Sequence, residues 1–169
     1  MTQECHVSVF LSSDLLTERL ILRLWTVDAA AAVLDDQRRA AWAADFPAEG
    51  DRVIAGLLAE HSDWLGSFGH RLIVERSSGL VVGSIGLFWP PADGELEIGY
   101  GIVASRRGRG YATEATAALT AHAFTAPGVR VVRADVELSN PPSVRVLEKA
   151  GFEQVSSADG VARFRVAAG

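Results

Sequence analysis

The stretch SRRGRGYATEA, from Ser105 to Ala115, decides how this sequence is interpreted. It follows an apolar run, LEIGYGIV (residues 96–103), that is typical of a strand, and it precedes an alanine-rich run that is typical of a helix. The first turn of a helix leaves backbone N–H groups unpaired at the positive end of the helix dipole. Glycines at this junction let a ligand approach the backbone closely. The pattern therefore indicates an anion site, best suited to phosphate or pyrophosphate.

Other interpretations of the glycine-rich segment compete with this one. A Walker loop requires a lysine after its last glycine, but Tyr111 follows Gly110. A dinucleotide fingerprint that starts at Gly108 would need glycine or alanine where Thr113 stands, and it normally lies in the first strand–helix unit of a chain. A solvated arginine turn ended by glycine is the plain alternative, because glycine-rich turns are common.

Hydrophobic periodicity and turn residues divide the remaining chain into alternating elements. Asn140 precedes two prolines, so we expect it to cap a helix on the N–H of Ser143, and we expect Gly151 to end that helix. The element order predicts a mixed α/β single domain over residues 15–169, preceded by an N-terminal extension over residues 1–14. The predicted helices are 27–34, 49–65, 110–124 and 141–150, and the predicted strands are 19–24, 70–76, 80–89, 96–103, 129–138, 152–156 and 161–166.

Composition and charge exclude several classes of protein. The chain has 169 residues and a net charge of −5, which argues against non-specific nucleic-acid binding and is compatible with a cationic or amine partner. Its apolar runs are shorter than the roughly 18 residues of a membrane span. The apolar run near the N-terminus lacks a preceding basic region, which argues against a signal peptide. Cys5 is the single cysteine, so we expect no internal disulfide and a cytoplasmic location.

A second segment, NPPSVRVLEKAGF (residues 140–152), follows the next predicted strand. Together with the glycine-rich segment and the opening LLTERLILRLWTVDA (residues 15–29), it resembles the GNAT family of acyl-CoA-dependent N-acyltransferases. The family's pyrophosphate motif, Q/R-x-x-G-x-G/A, aligns with residues 105–110 and departs only at Ser105. The most similar branch is that of the ribosomal-protein N-terminal acetyltransferases and their small-molecule-acting relatives. The resemblance covers about residues 15–166.

The resemblance implies a central, mostly antiparallel mixed sheet with flanking helices, in which two parallel strands, 96–103 and 129–138, splay apart. It implies that acetyl-CoA, the acyl donor, lies between these strands, with its pyrophosphate on the loop N–H groups and its pantetheine along the edge of the first strand. The cofactor-binding residues that it implies are Ile102, Val103, Arg107, Gly108, Arg109, Gly110, Tyr111, Ala112, Asn140 and Ser143.

The resemblance also implies direct attack of the amine on the thioester, so Cys5 is better interpreted as a free thiol than as a nucleophile. Glu97 stands where many family members carry a catalytic glutamate, which would accept the proton of the amine. Strand alternation places Glu95, Glu97 and Gly99 on one face. A solvent-facing glutamate is the alternative interpretation of Glu97, and Glu95 is the reserve candidate for the base.

The general acid is less clearly marked. Leu147 occupies the position where many family members place a tyrosine acid, and Ser143 is the nearest substitute. Ser143 is equally well interpreted as a first-turn serine that serves the helix N-terminus, and a thiolate can also leave without a protein acid.

The histidines and tryptophans give no sharper prediction. The histidines show no metal-ligand spacing, and core packing is a better interpretation of each tryptophan than an acceptor pocket. These residues are His6, His61, His70, His122, Trp25, Trp42, Trp64 and Trp89.

The sequence therefore predicts an N-acetyltransferase that transfers an acetyl group from acetyl-CoA to a primary amine, either a protein N-terminus or a small molecule. The alternative is a catalytically silent CoA-binding module that acts as a sensor. We expect no metal, nucleic acid or membrane among its partners. A homodimer is a candidate assembly, and the sequence leaves the oligomeric state open.

Overall fold

Eight strands form one sheet in the computed structural model, which describes residues 10–169. The strands are β1 (Leu15–Leu16), β2 (Leu20–Leu24), β3 (His70–Glu75), β4 (Val81–Leu87), β5 (Glu95–Ile102), β6 (Val131–Glu137), β7 (Glu153–Ala158) and β8 (Val161–Ala167). The α-helices are α1 (Val27–Leu34), α2 (Glu49–Glu60), α3 (Tyr111–Ala123) and α4 (Pro141–Lys149). Cys5 and His6 lie outside the described residues.

The strand order is β1-β2-β3-β4-β5-β6-β8-β7, and every neighbouring pair is antiparallel except β5 and β6. The parallel pairing of β5 with β6 is short: it joins Glu95, Leu96 and Glu97 to residues 131–133 and goes no further. Beyond Glu97 the two strands diverge, which opens a gap in the sheet. The predicted fold class, including the two splayed parallel strands, is confirmed.

Helices cover both faces of the sheet. On one face, α3 packs against β2, β4 and β5, and α4 packs against α3 and β6. On the other face, α2 packs against α1 and is tied to β4 by a hydrogen bond from the Ser84 hydroxyl to Asp51. The core contains fully buried aliphatic side chains, among them Leu22, Ile85 and Leu119, and each contributes about 1.5–3 kcal/mol to folding. Aromatic side chains such as Phe46 and Phe164 are buried with them.

The predicted helices agree with the structure to within one residue except at one end. The helix predicted to reach Leu65 ends at Glu60, and a short 3₁₀ turn covers Ser62–Leu65. His61 between them leaves the helical region of the backbone, with φ of −126° and ψ of 81°. The indole N–H of Trp64 in the 3₁₀ turn donates to the Trp89 carbonyl at 2.7 Å. Among the described residues, none of the helices is long and apolar enough to cross a membrane.

Candidate active site

The glycine-rich loop lies between β5 and α3 and is open to solvent. Gly108 and Gly110 both have left-handed backbone angles, with φ of 77° and 80°, which only glycine adopts without strain. Gly110 is the N-cap of α3. Within the described part of the chain, the N–H groups of Gly108, Arg109 and Gly110 have no hydrogen-bond partner. They form a concave group of donors at a helix N-terminus, as an anion site requires.

Glu75, at the end of β3, organises the side chains of this loop. Its buried carboxylate accepts hydrogen bonds from Tyr111 (2.8 Å), from Arg106 (3.2 and 3.3 Å) and from Arg109 (3.4 Å), and also from Ser78 (2.7 Å). Burial alone would raise the pKa of Glu75, but the hydrogen bonds from Ser78, Tyr111 and Arg106 outweigh it, so the pKa is lowered. The ionised carboxylate therefore partly neutralises two of the loop's arginines and fixes their positions.

Two further contacts hold the loop from outside. Ser105, the residue that departs from the family motif, donates to Asp45 through both its N–H and its hydroxyl, each at 2.8 Å. Arg19 donates to the carbonyl of Arg109 at 2.7 Å and pairs with Glu114 of α3 at 2.8 Å. The loop is thus fixed before any anion binds, which lowers the ordering cost of binding.

The end of β5 forms one side of the gap between β5 and β6. Arg107 donates to the Ile102 carbonyl at 3.0 Å. The Val103 N–H donates to Val82 on the β4 side, and its carbonyl accepts from Arg106. A ligand that pairs with Val103 would therefore have to share that carbonyl.

Asn140 and Ser143 lie at the start of α4, just after the end of β6. The Asn140 side chain caps the N–H of Ser143 at 3.4 Å, as the sequence predicted. The Ser143 hydroxyl is 2.7 Å from the phenol oxygen of Tyr100 on β5, so the two hydroxyls connect β5 with α4. Burial raises the pKa of Tyr100, so its phenol keeps its proton at neutral pH. Leu147, the site of the absent family tyrosine, is buried.

Glu97 lies on the opposite face of β5 from Tyr100, as alternation predicted. Its half-exposed carboxylate is 3.6 Å from a guanidinium nitrogen of Arg133, which also approaches Glu95 and Asp135. Farther along the same face, Gly99 is covered by the ring of Phe88. An amine that used Glu97 would therefore compete with Arg133 for the carboxylate.

A cavity of about 300 Å³ lies between α2 and the β4–β5 pair, on the face that carries Glu97. Gly86, Gly99 and Gly101 line it, and an added Cβ at Gly101 would meet nothing within 4 Å. A Cβ at Gly86 would overlap the ring of His70. The absence of side chains at these positions keeps the space open.

Two buried titratable residues line this cavity. Asp51 accepts hydrogen bonds from the Ser84 hydroxyl at 2.5 Å and from the Ala48 N–H at 2.8 Å. Burial raises the pKa of its carboxyl and outweighs these hydrogen bonds, which lower it. His70 is 1% exposed, and burial lowers its pKa to about 4, so the imidazole is neutral at physiological pH. Its Nε2 has no hydrogen-bond partner among the described residues.

Sequence reasoning missed Asp51, His70, Glu75 and Tyr100. His70 carried a usable signal, since it opens a strand whose next residues are mostly apolar. Trp25 and Trp42 are buried, which confirms core packing for them. Among residues 10–169, no three His, Cys, Asp or Glu side chains are grouped so as to hold a metal ion.

The class of protein follows from comparison with known families. The family model described as acetyltransferase (GNAT) domain matches residues 19–153. The chain therefore belongs to the GNAT family, as the sequence motifs predicted.

Individual relatives agree with this assignment. An uncharacterized N-acetyltransferase, p20 from Bacillus licheniformis, is 30% identical over 83 residues, which are 48% of this chain and 47% of that protein. The chain thus spans about half the length of this curated relative. An acetyltransferase structure from Agrobacterium tumefaciens is 25% identical and matches with a TM-score of 0.65 over 94% of this chain and 96% of its own. A protein from Vibrio cholerae assigned as a ribosomal-protein-serine acetyltransferase is 20% identical and shares the fold, with a TM-score of 0.67 over 92% of this chain and 97% of its own.

Proposed function

We propose that this protein transfers the acetyl group of acetyl-CoA directly to a primary amine. The observation that supports this most is the meeting of three features at one gap in the sheet: an unpaired glycine-rich anion loop, the free edge of β5, and the Tyr100–Ser143 hydroxyl pair. Membership of the GNAT family supports the same donor.

In this proposal the donor lies in the gap between β5 and β6. The free N–H groups of residues 108–110 bind the pyrophosphate, and the arm follows β5 towards Ser143. The cofactor contacts are those that the sequence predicted, namely Ile102, Val103, Arg107, Gly108, Arg109, Gly110, Tyr111, Ala112, Asn140 and Ser143. Because Arg106 and Arg109 are tied to Glu75, the backbone N–H groups and Arg107 provide the direct contacts to the anion.

The proposed chemistry needs two proton movements. The amine nitrogen attacks the thioester carbon, the carbon–sulfur bond breaks, and the proton of the nitrogen passes to Glu97, directly or through water. Ser143 gives its hydroxyl proton to the departing sulfur and takes one from the Tyr100 phenol, 2.7 Å away. The phenol then recovers a proton from solvent, and Glu97 releases its own to solvent. The paired hydroxyls take the place of the tyrosine that Leu147 replaces.

A thiol-release assay with acetyl-CoA and a panel of peptide and small-molecule amines tests the proposal, with mass spectrometry to identify the acetylated product. We expect transfer to at least one primary amine and none to the matched alcohol. Binding of CoA without transfer to any amine would instead support the sensor module. Failure to bind CoA would contradict both functions.

A further inference from the structure

The cavity beneath α2 contains a buried acid with no cationic partner. Asp51 is 4% exposed, and its carboxylate is held by two neutral donors, the Ser84 hydroxyl and the Ala48 N–H. Among residues 10–169, no Lys, Arg or His nitrogen lies within ion-pair distance of it. A buried carboxylate that lacks a counter-charge is unfavourable, and a cationic ligand would remove that cost.

A second observation points to the same cavity. The His70 imidazole also lines it and is almost completely buried, and the edge of its ring that carries Nδ1 lies against Gly86, another residue of the cavity wall. A neutral imidazole does not repel a cation and can accept a hydrogen bond from it. An ammonium group has three donors, so it can satisfy a carboxylate and an imidazole together, whereas an anion would be repelled by Asp51.

The walls of the cavity suit a short aliphatic chain. Ile54 and Ile85 contribute apolar surface, and the glycines of β4 and β5 leave space along the strands. The cavity extends to Gly101 and Ile102, the part of β5 along which the donor lies in the proposed function. A chain that begins at Asp51 can therefore lead towards the thioester.

We propose that this cavity binds a second, non-reacting ammonium group of the acceptor, with Asp51 as its counter-charge, so that preferred acceptors are short diamines. This inference rests on the proposed acetyl transfer and names its substrate class. The bound ammonium is not the attacking group, because a carboxylate partner stabilises the protonated form of an amine and attack requires the neutral form. The two carboxylates thus have different tasks: Asp51 holds the charged end, and Glu97 accepts the proton of the reacting end.

The test compares three acceptors of equal chain length, 1,5-diaminopentane, 5-aminopentan-1-ol and pentylamine, by kcat/KM for acetyl transfer. We expect the diamine to exceed both others by about tenfold or more, the worth of a charge-assisted hydrogen bond. In Asp51→Asn this preference falls to within about threefold, mainly through KM. The control Asp63→Asn removes an exposed acid of the neighbouring 3₁₀ turn and keeps the preference. Equal use of the three acceptors, or an unchanged preference in Asp51→Asn, would overturn the inference.

A binding measurement separates this inference from the proposed function. Calorimetry of 1,5-diaminopentane with the CoA-loaded protein requires no turnover. If no amine is acetylated but the diamine binds and Asp51→Asn weakens it by about tenfold or more, the cavity is an ammonium site and only the proposed transfer fails. If amines are acetylated and the diamine binds no more tightly than pentylamine, the inference fails and the transfer stands. Circular dichroism of Asp51→Asn confirms the fold, since asparagine can still accept from Ala48 at the start of α2.

Discussion

Replacing Glu75 with glutamine tests whether one buried carboxylate organises the anion loop. One carboxylate oxygen accepts from Ser78 and Arg106, and the other accepts from Tyr111, Arg106 and Arg109. Glutamine keeps the shape of the side chain and one acceptor oxygen, but it presents an NH₂ group where the second oxygen stood. That group cannot accept from an arginine or a phenol. The variant therefore removes the charge and about half of the accepted hydrogen bonds without opening a cavity.

The size of the effect follows from these bonds. A hydrogen bond to a charged group contributes about 1.5–3 kcal/mol, so we expect Glu75→Gln to lose about 2 kcal/mol of folding free energy. For a domain of this length, that lowers Tm by about 4–8 °C. If the variant must spend the same free energy to order the loop when CoA binds, its affinity for CoA falls about 30-fold. A tenfold change in affinity corresponds to about 1.4 kcal/mol.

Calorimetry with CoA and thermal unfolding followed by circular dichroism measure the two effects. Glu148→Gln, an exposed glutamate of α4, is the matched control and should change neither. Because the pKa of Glu75 is below its usual value, its contribution is present at neutral pH and is lost as the pH falls through the lowered pKa. A Glu75→Gln variant that loses Tm but keeps the parent affinity for CoA would refute the idea that Glu75 organises the loop.

Three other predictions concern the base, the loop and the buried imidazole. Glu97→Gln should lower turnover by about 10²–10⁴-fold at neutral pH, and activity should partly return at high pH, where the amine arrives neutral. The control Glu95→Gln should keep a turnover near that of the parent. Parent turnover in Glu97→Gln would show that Glu97 is not the base. Gly110→Val should abolish measurable CoA binding in calorimetry, while Gly128→Val, which has a similar φ of 82° in a distant turn, shares the backbone strain and keeps CoA affinity. Because the pKa of His70 is lowered to about 4 in the fold and is about 6.5 in the unfolded chain, protonation of the unfolded chain removes stability as the pH falls below about 6.5. Between pH 8 and pH 5, the free energy of unfolding measured with urea should fall by about 2 kcal/mol in the parent and not in His70→Gln. The same pH dependence in both proteins would contradict the lowered pKa of His70.

Local sequence signals predicted the elements well. The helix over residues 27–34 was predicted with the bounds that the structure shows, the fourth helix ends one residue earlier than predicted, and the cap from Asn140 to Ser143 is confirmed. The two-residue strand β1 was missed because its conformation depends on pairing with β2 rather than on its own composition. The error after Glu60 has a similar origin, since the hydrogen bond that holds Trp64 of the following 3₁₀ turn joins residues 25 positions apart.

The candidate site was less predictable because distant contacts assemble it. Asp51 and Ser84 are 33 positions apart, Tyr100 and Ser143 are 43 apart, and Glu75 lies 36 before Tyr111. None of these pairs follows from periodicity. The glycine-rich loop was identified because all its essential features, the strand, the glycines and the helix start, are neighbours in the chain.

The short parallel ladder between β5 and β6 has a mechanical consequence. It contains three residue pairs, whereas β6 and β8 share seven. The sheet therefore consists of two parts, β1–β5 and β6–β8, which are joined by this three-pair ladder. A rotation of one part relative to the other about this short ladder changes the width of the gap between β5 and β6. The longer ladders within each part stay intact. A ligand arm in the gap would take the place of a strand between β5 and β6 and restrict this rotation. We therefore expect it to slow amide hydrogen exchange in both parts of the sheet.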